Sequence, residues 1–138
     1  MSKAVLAAEE TSIFSQATAQ SPEPQLESAE DYFNRGVYYY RQEDFEAALA
    51  DYNRAIEINP NYVEAFNNRG AIYAQQRKDN LALSDFNRTI ETNSDYAEAF
   101  NNRGLIYVRQ GKDDLALSDF NRAIEIDPNY VETYSVRG

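Results

Sequence analysis

Apolar positions in this chain fall at helical spacing, and the same spacing returns further along. Tyr32, Gly36 and Tyr39 are spaced i, i+4, i+7, as are Phe66, Gly70 and Tyr73, and Phe100, Gly104 and Tyr107. Residues so spaced share one face of a helix. A second stripe follows each triplet: Ala48, Tyr52, Ala55 and Ile56, then Ala82, Phe86 and Ile90, then Ala116, Phe120, Ala123 and Ile124. Each stripe predicts an amphipathic helix, so the pattern predicts helices in pairs. Polar stretches at residues 41–44, 75–79 and 109–113 separate the two stripes of a pair. They fit tight turns, with Asp44, Asp79 or Asp113 near the next N-terminus, where a carboxylate accepts from unpaired amides. Asn59 with Pro60, and Asp127 with Pro128, end the second helix, because proline disfavours helical backbone in the residue before it.

The pairs are copies of one another. Residues 97–130 repeat residues 63–96 without a gap and differ at 11 of 34 positions. A looser copy spans residues 29–62, and another begins at 131–138. The expected organisation is therefore a leader and linker at 1–28, full units at 29–62, 63–96 and 97–130, and the first helix of a partial fourth at 131–138. A period of roughly 34 residues marks stacked helical repeats, which bury a continuous core only by covering one another. The expected fold class is all-α, a solenoid of antiparallel helix pairs. Gly36, Gly70 and Gly104 fall in mid-helix, where glycine costs ~1 kcal/mol relative to alanine. A compensating close approach by Ala48, Ala82 or Ala116 of the second helix is expected.

Charge adds a second periodic feature. Arg35, Arg69, Arg103 and Arg137 recur at the repeat spacing, and Asp51, Asp85 and Asp119 follow the first three by 16 residues. This offset predicts Arg–Asp bridges between paired helices. With 23 acidic and 13 basic residues the net charge is −10, which argues against a nucleic-acid backbone or an anionic membrane as partner. Histidine and cysteine are both absent. That excludes nucleophile-base pairs built on His and zinc sites built on Cys and His. Neighbouring carboxylates such as Asp113 and Asp114 diverge by about 100° on a helix, so they make a poor catalytic pair. No enzyme activity and no cofactor are expected.

No apolar run approaches the ~20 residues that span a bilayer, so membrane insertion is not expected. In the leader, Val5, Leu6, Ile13, Phe14 and Ala17 mark a short amphipathic helix over residues 4–17, with a polar tail as the alternative. Ala17, Thr18 and Ala19 look like an export cleavage site, but the apolar run at residues 4–8 is too short for a signal peptide. The chain is read as cytoplasmic, with export as the alternative.

An aromatic, then Gly, then Tyr in the first helix, with Ala, an aromatic, Ala and a closing Pro in the second, resembles the tetratricopeptide repeat family. The resemblance covers residues 29–138, and the near-uniform copies look like bacterial members. Departures cluster in the second unit, where Thr89 replaces Ala, Thr92 replaces Ile and Ser94 replaces Pro. Its C-terminal turn is expected to pack least tightly.

The resemblance implies a right-handed superhelix whose concave face, lined by the first helix of each unit, holds an extended peptide or a partner helix. It places Asn34, Asn67, Asn68, Asn101 and Asn102 on that face, with Phe33, Val37, Tyr40, Leu105, Val108 and Arg109 around them. Asparagine both donates and accepts, which suits the main chain of an extended segment. The alternative is that the Asn row holds the stack together. The differences Ala71/Leu105, Ala74/Val108 and Gln75/Arg109 are expected to set specificity. Glu30, Glu64, Glu98 and Glu132 start the first helices, where the helix dipole favours a carboxylate; the alternative is an acidic edge for a partner's Lys or Arg. One subclass of the family clamps acidic chaperone tails, but Phe33, Val37, Glu98 and Asn102 stand at its key places here and only Asn68 fits. The implied function is a noncatalytic scaffold with a protein or peptide partner. The alternative is a self-associating module whose groove the leader or a neighbouring chain fills. A homo-oligomer is expected through an exposed second-helix face at Phe120, Ile124 and Ile126.

Overall fold

The computed structural model of the chain describes residues 26–129. These form six α-helices: α1 (Ala29–Arg41), α2 (Phe45–Ile58), α3 (Val63–Gln75), α4 (Asp79–Thr92), α5 (Ala97–Arg109) and α6 (Asp113–Ile126). There is no strand among the described residues. The expected helix at 4–17 and the partial unit at 131–138 lie outside them.

Local chemistry sets the helix ends. α1 opens on a capping box: the Ser28 hydroxyl accepts from the Asp31 amide at 3.0 Å, and the Asp31 carboxylate accepts from the Ser28 amide at 3.5 Å. Each first helix ends in the same hairpin. The amides of Asp44, Lys78 and Lys112 reach back to the carbonyls of Tyr39, Tyr73 and Tyr107 at 2.9, 2.9 and 2.8 Å. The residue before each adopts positive φ, 60° at Glu43, 62° at Arg77 and 75° at Gly111. This six-to-one bond across a left-handed residue is the Schellman stop.

The expected Asp at the next N-terminus holds for one hairpin of the three. Asp44 caps α2 by accepting from the Ala47 amide at 3.2 Å. Asp79 and Asp113 are instead first helical residues, behind Lys78 and Lys112, which make no side-chain cap. Their carboxylates still sit in the first turn, where the helix dipole favours them.

The second helices close on a side chain rather than on proline. Asn59, Asn93 and Asp127 accept from the amides two residues ahead at 3.0, 3.0 and 3.1 Å. Because this turn forms at Asn93 without a proline after it, α4 ends at the same register as α2 and α6. Thr89 fits the place of Ala55 and Ala123: it is fully buried, and its hydroxyl donates to the Asp85 carbonyl at 3.0 Å.

Packing follows the stripes, with one correction at the glycines. The close neighbour of each is the aromatic ring of the second helix rather than its Ala. A Cβ on Gly36, Gly70 or Gly104 would lie 2.6, 2.7 or 2.6 Å from the rings of Tyr52, Phe86 and Phe120. Ile72 of α3 packs with Ala48 and Tyr52 of α2, and Ile106 of α5 with Ala82 and Phe86 of α4. Each core is thus shared between consecutive pairs. Phe120 is likewise buried, so it is not part of an exposed face on α6; the apolar residues that α6 exposes are Leu115 and Leu117.

The Arg–Asp bridges are present and two-pronged. Arg35, Arg69 and Arg103 each place Nε and Nη2 at 2.7–2.9 Å from both carboxylate oxygens of Asp51, Asp85 and Asp119. Nη1 of Arg69 and Arg103 donates to Asn53 and Asn87 of the preceding pair at 2.8 and 2.9 Å. One guanidinium therefore ties three helices.

Candidate functional site

The first helices α1, α3 and α5 line a cavity of about 310 Å³. α5 contributes Glu98, Asn102, Leu105, Ile106 and Arg109; α3 contributes Ala71, Ala74 and Gln75; α1 contributes Tyr40, and Phe86 of α4 reaches its floor. Glu98, Asn102, Leu105 and Arg109 are spaced i, i+4, i+7, i+11, one continuous face of a helix. The repeat puts Glu64, Asn68, Ala71 and Gln75 on the matching face of α3.

The wall is cross-tied. Gln75 Nε2 donates to the Tyr40 hydroxyl at 3.2 Å. Arg109 forms an ion pair with Asp79 and reaches the Ala74 carbonyl at 3.4 Å, so α5 is bound to both helices of the preceding pair. Asn102 Nδ2 donates to Asn67 Oδ1 at 3.4 Å. Among the described residues no three carboxylates converge where a cation could sit.

Of the residues named from sequence, Tyr40, Asn102, Leu105 and Arg109 come together here. The others lie elsewhere. Asn67 and Asn101 are fully buried and present no surface to a ligand. Asn67 Nδ2 has no hydrogen-bond partner, a cost of about 1–3 kcal/mol for a buried donor. Asn68 is half-buried, does not line the cavity, and donates to the Tyr52 hydroxyl at 3.4 Å, across to the preceding pair. Burial pushes that phenol above its ordinary range, and the Asn68 bond offsets part of the rise. Phe33 stacks on Tyr62 at 5.0 Å and tilts against Tyr52 at 5.7 Å, and Val37 packs on the core of Ala48, Tyr52 and Ile72. Asn34 and Val108 are exposed outside the cavity. Three of the places singled out as variable between copies, Ala71, Ala74 and Gln75, do line it.

Glu98 is a wall residue that the Asn row did not point to. The sequence places it in the Glu row, read as a helix-dipole carboxylate with an acidic edge for a partner as the alternative, and its spacing of four from Asn102 is the signal that puts it on the lining face. Two half-buried phenols feel the carboxylates that open the first helices, the first being Tyr96. Burial, then Glu98, then Glu64 push its phenol far above the ordinary range. Tyr62 is raised by burial and then by Glu64 and Glu30.

Known proteins share this architecture. The first TPR of Spaghetti (RPAP3), solved bound to the HSP90 peptide SRMEEVD, is 26% identical with a TM-score of 0.74, over 78% of this chain and 86% of that one. YrrB, a TPR protein described as having an unusual peptide-binding site, is 28% identical with a TM-score of 0.73, over 81% of this chain; the match spans 58% of YrrB. The Arabidopsis OM64 TPR domain shares the fold at 19% identity, with a TM-score of 0.76 over 80% of this chain and 91% of that one. No curated protein sequence matches the chain. Residues 36–77 match a family described as TPR repeat, and residues 97–130 one described as Tetratricopeptide repeat. Helix pairs closed on Gly against an aromatic ring, a core shared from pair to pair and these two matches together make the chain a member of the tetratricopeptide repeat family.

Proposed function

We propose that this chain is a noncatalytic interaction module that holds an extended segment of a partner protein in the cavity between α1, α3 and α5. The observation that carries this reading is the cavity itself: about 310 Å³, apolar at Ala71, Ala74 and Leu105, with polar groups at Asn102, Gln75 and Tyr40 on its walls. A few fixed polar groups in an apolar cleft are what orient a bound chain. Asn102 supplies an amide for main-chain contacts, and Leu105 an apolar surface for a side chain. Two structurally similar proteins are described with a bound peptide or a peptide-binding site, which supports the same use of the surface.

Selection from a random peptide library displayed on phage tests it. Selected peptides should bind the purified chain and lose at least about tenfold in affinity on Leu105→Arg, while binding survives Leu81→Arg on the outer side of α4. Peptides that ignore Leu105→Arg would refute the groove.

A further inference from the structure

We infer that the groove seats an aromatic side chain of its partner, a Phe, Tyr or Trp ring lying between Tyr40 of α1 and Leu105 of α5 and over Ala71 of α3. The inference rests on the groove reading above and adds the side chain that anchors its occupant.

The cavity has its room at α3. The places of Ala71 and Ala74 hold Val37 and Tyr40 on α1, and Leu105 and Val108 on α5, so each neighbouring helix carries larger side chains at the same register. Ala71 and Ala74 line the cavity together with Tyr40 and Leu105. A dry cavity of about 150 Å³ takes a benzene ring. One of about 310 Å³ therefore admits a ring together with the main chain that carries it.

Two rings already face this space. Phe86 of α4 reaches the floor, and Tyr40 is held from two directions: its hydroxyl accepts from Gln75 at 3.2 Å, and its ring tilts against Phe45 with centroids 5.6 Å apart. Aromatic pairs gain beyond the area they bury, because the face and the edge of a ring carry opposite partial charge. The polar groups of the wall are already engaged by the protein. Gln75 donates to Tyr40, Asn102 donates to Asn67, Arg109 pairs with Asp79, and Glu98 is not without a partner either. A charged side chain entering the cavity would have to break into these contacts to be satisfied, whereas an apolar ring displaces only water. The Asn102 carbonyl oxygen, with two lone pairs, can accept from the main chain that flanks the ring. A large ring buried among contacts that exclude water is the usual anchor of an interface.

The test uses the same displayed library, read on the full chain. Peptides that lose binding on Leu105→Arg are expected to share an aromatic residue, and replacing it by Ala in the synthetic peptide should weaken binding at least about tenfold. Ala71→Leu, which gives α3 the residue that α5 carries at 105, should weaken the same peptides at least about tenfold without lowering the thermal midpoint. Groove-dependent peptides that share no aromatic residue, or that bind Ala71→Leu as well as wild type, would overturn the ring assignment and leave the groove reading standing. Peptides that all ignore Leu105→Arg would bring down the groove reading, and the ring assignment with it. The leader at 1–28 holds one aromatic residue, Phe14. Phe14→Ser in the full chain should leave peptide affinity unchanged; a gain of about tenfold would give the seat to the leader and overturn its assignment to a partner. Should Ala71→Leu misfold, Ala71→Val, with the residue that α1 carries at 37, gives the same comparison.

Discussion

Arg69 and Asp85 meet through two parallel hydrogen bonds, Nε to Oδ2 at 2.9 Å and Nη2 to Oδ1 at 2.8 Å, with the carboxylate almost wholly buried between helices. The hydrogen bonds to Asp85 raise the guanidinium pKa, against the opposing effect of burial, so the Arg stays charged at any working pH. Removing it strands a buried carboxylate. Arg69→Met is expected to cost about 2–3 kcal/mol, below the usual range for a broken buried pair because the Arg side chain retains some solvent. Arg69→Met with Asp85→Leu should recover most of that loss, since two apolar groups of similar volume leave no buried charge unpaired and Asn53, which also loses Arg69, is exposed to water. Urea unfolding of the three variants measures both values, and a single variant as stable as wild type would contradict the account.

A stop that needs positive φ predicts a gain. Gly111 takes it at 75°, while Glu43 at 60° and Arg77 at 62° take it with a side chain attached. Left-handed backbone costs an L-residue roughly 1–2 kcal/mol, and glycine escapes it while giving up some unfolded-state entropy. Arg77→Gly should therefore stabilise the chain by about 0.5–1 kcal/mol, and Gly111→Ala should destabilise it by a similar amount. No atom lies within 4 Å of a Cβ on Gly111, so the loss would come from backbone strain alone. Opposite shifts in the thermal midpoint check the pair.

These hairpins also show what could be read from the chain and what could not. The helix pairs and the Arg–Asp bridges were legible because each is a fixed spacing within one copy, and spacing survives repetition. The partner of each mid-helix glycine was not: Ala48 and Tyr52 are both on the α2 face toward α1, and only packing shows that the ring of Tyr52 takes the space. The Asn row mixes surface and core positions for a related reason. Asn67 and Asn68 are adjacent, so they point about 100° apart on the helix, and a row in sequence does not say which member faces out. Asn102 reached the cavity while Asn101 went to the core. What did mark the cavity were the differences between copies at Ala71, Ala74 and Gln75, which at i, i+3 and i+4 share one face of α3.

Alkaline pH should unfold the chain through its buried phenols. Tyr96 is pushed far up by burial, then by Glu98 and Glu64, and Tyr52 is raised mainly by burial. A phenol whose folded pKa exceeds its unfolded value of about 10 holds its proton longer in the folded state. The stability it contributes is whole below about pH 10 and is lost as pH rises toward the folded value. Tyr96→Phe is expected to flatten this loss, leaving stability near neutral pH little changed because the phenol is already uncharged there. Circular dichroism followed above pH 10 measures it, and an alkaline transition identical in the variant would assign the loss to other groups.

Ser94 stands where Pro60 and Pro128 close the other two pairs. The backbone before it is already that of a residue preceding proline: Asn93 has φ −139° and ψ 99°, against −128° and 94° at Asn59 and −137° and 93° at Asp127. The surroundings agree as well, since Arg122 reaches the Ser94 carbonyl at 3.4 Å as Arg88 reaches that of Pro60 at 3.2 Å. Proline at 94 would meet no clash with its predecessor and would narrow the unfolded ensemble. Ser94→Pro is therefore expected to stabilise the chain by about 0.4–1 kcal/mol, chiefly by restricting the unfolded chain. The structure also predicts where the gain appears: in α4 and α5, which the turn joins, as slower amide exchange late in α4 and early in α5. A destabilised variant would mean that the turn at Asn93 differs from its two counterparts, and that the looser closure suggested by Thr92 and Ser94 was correct.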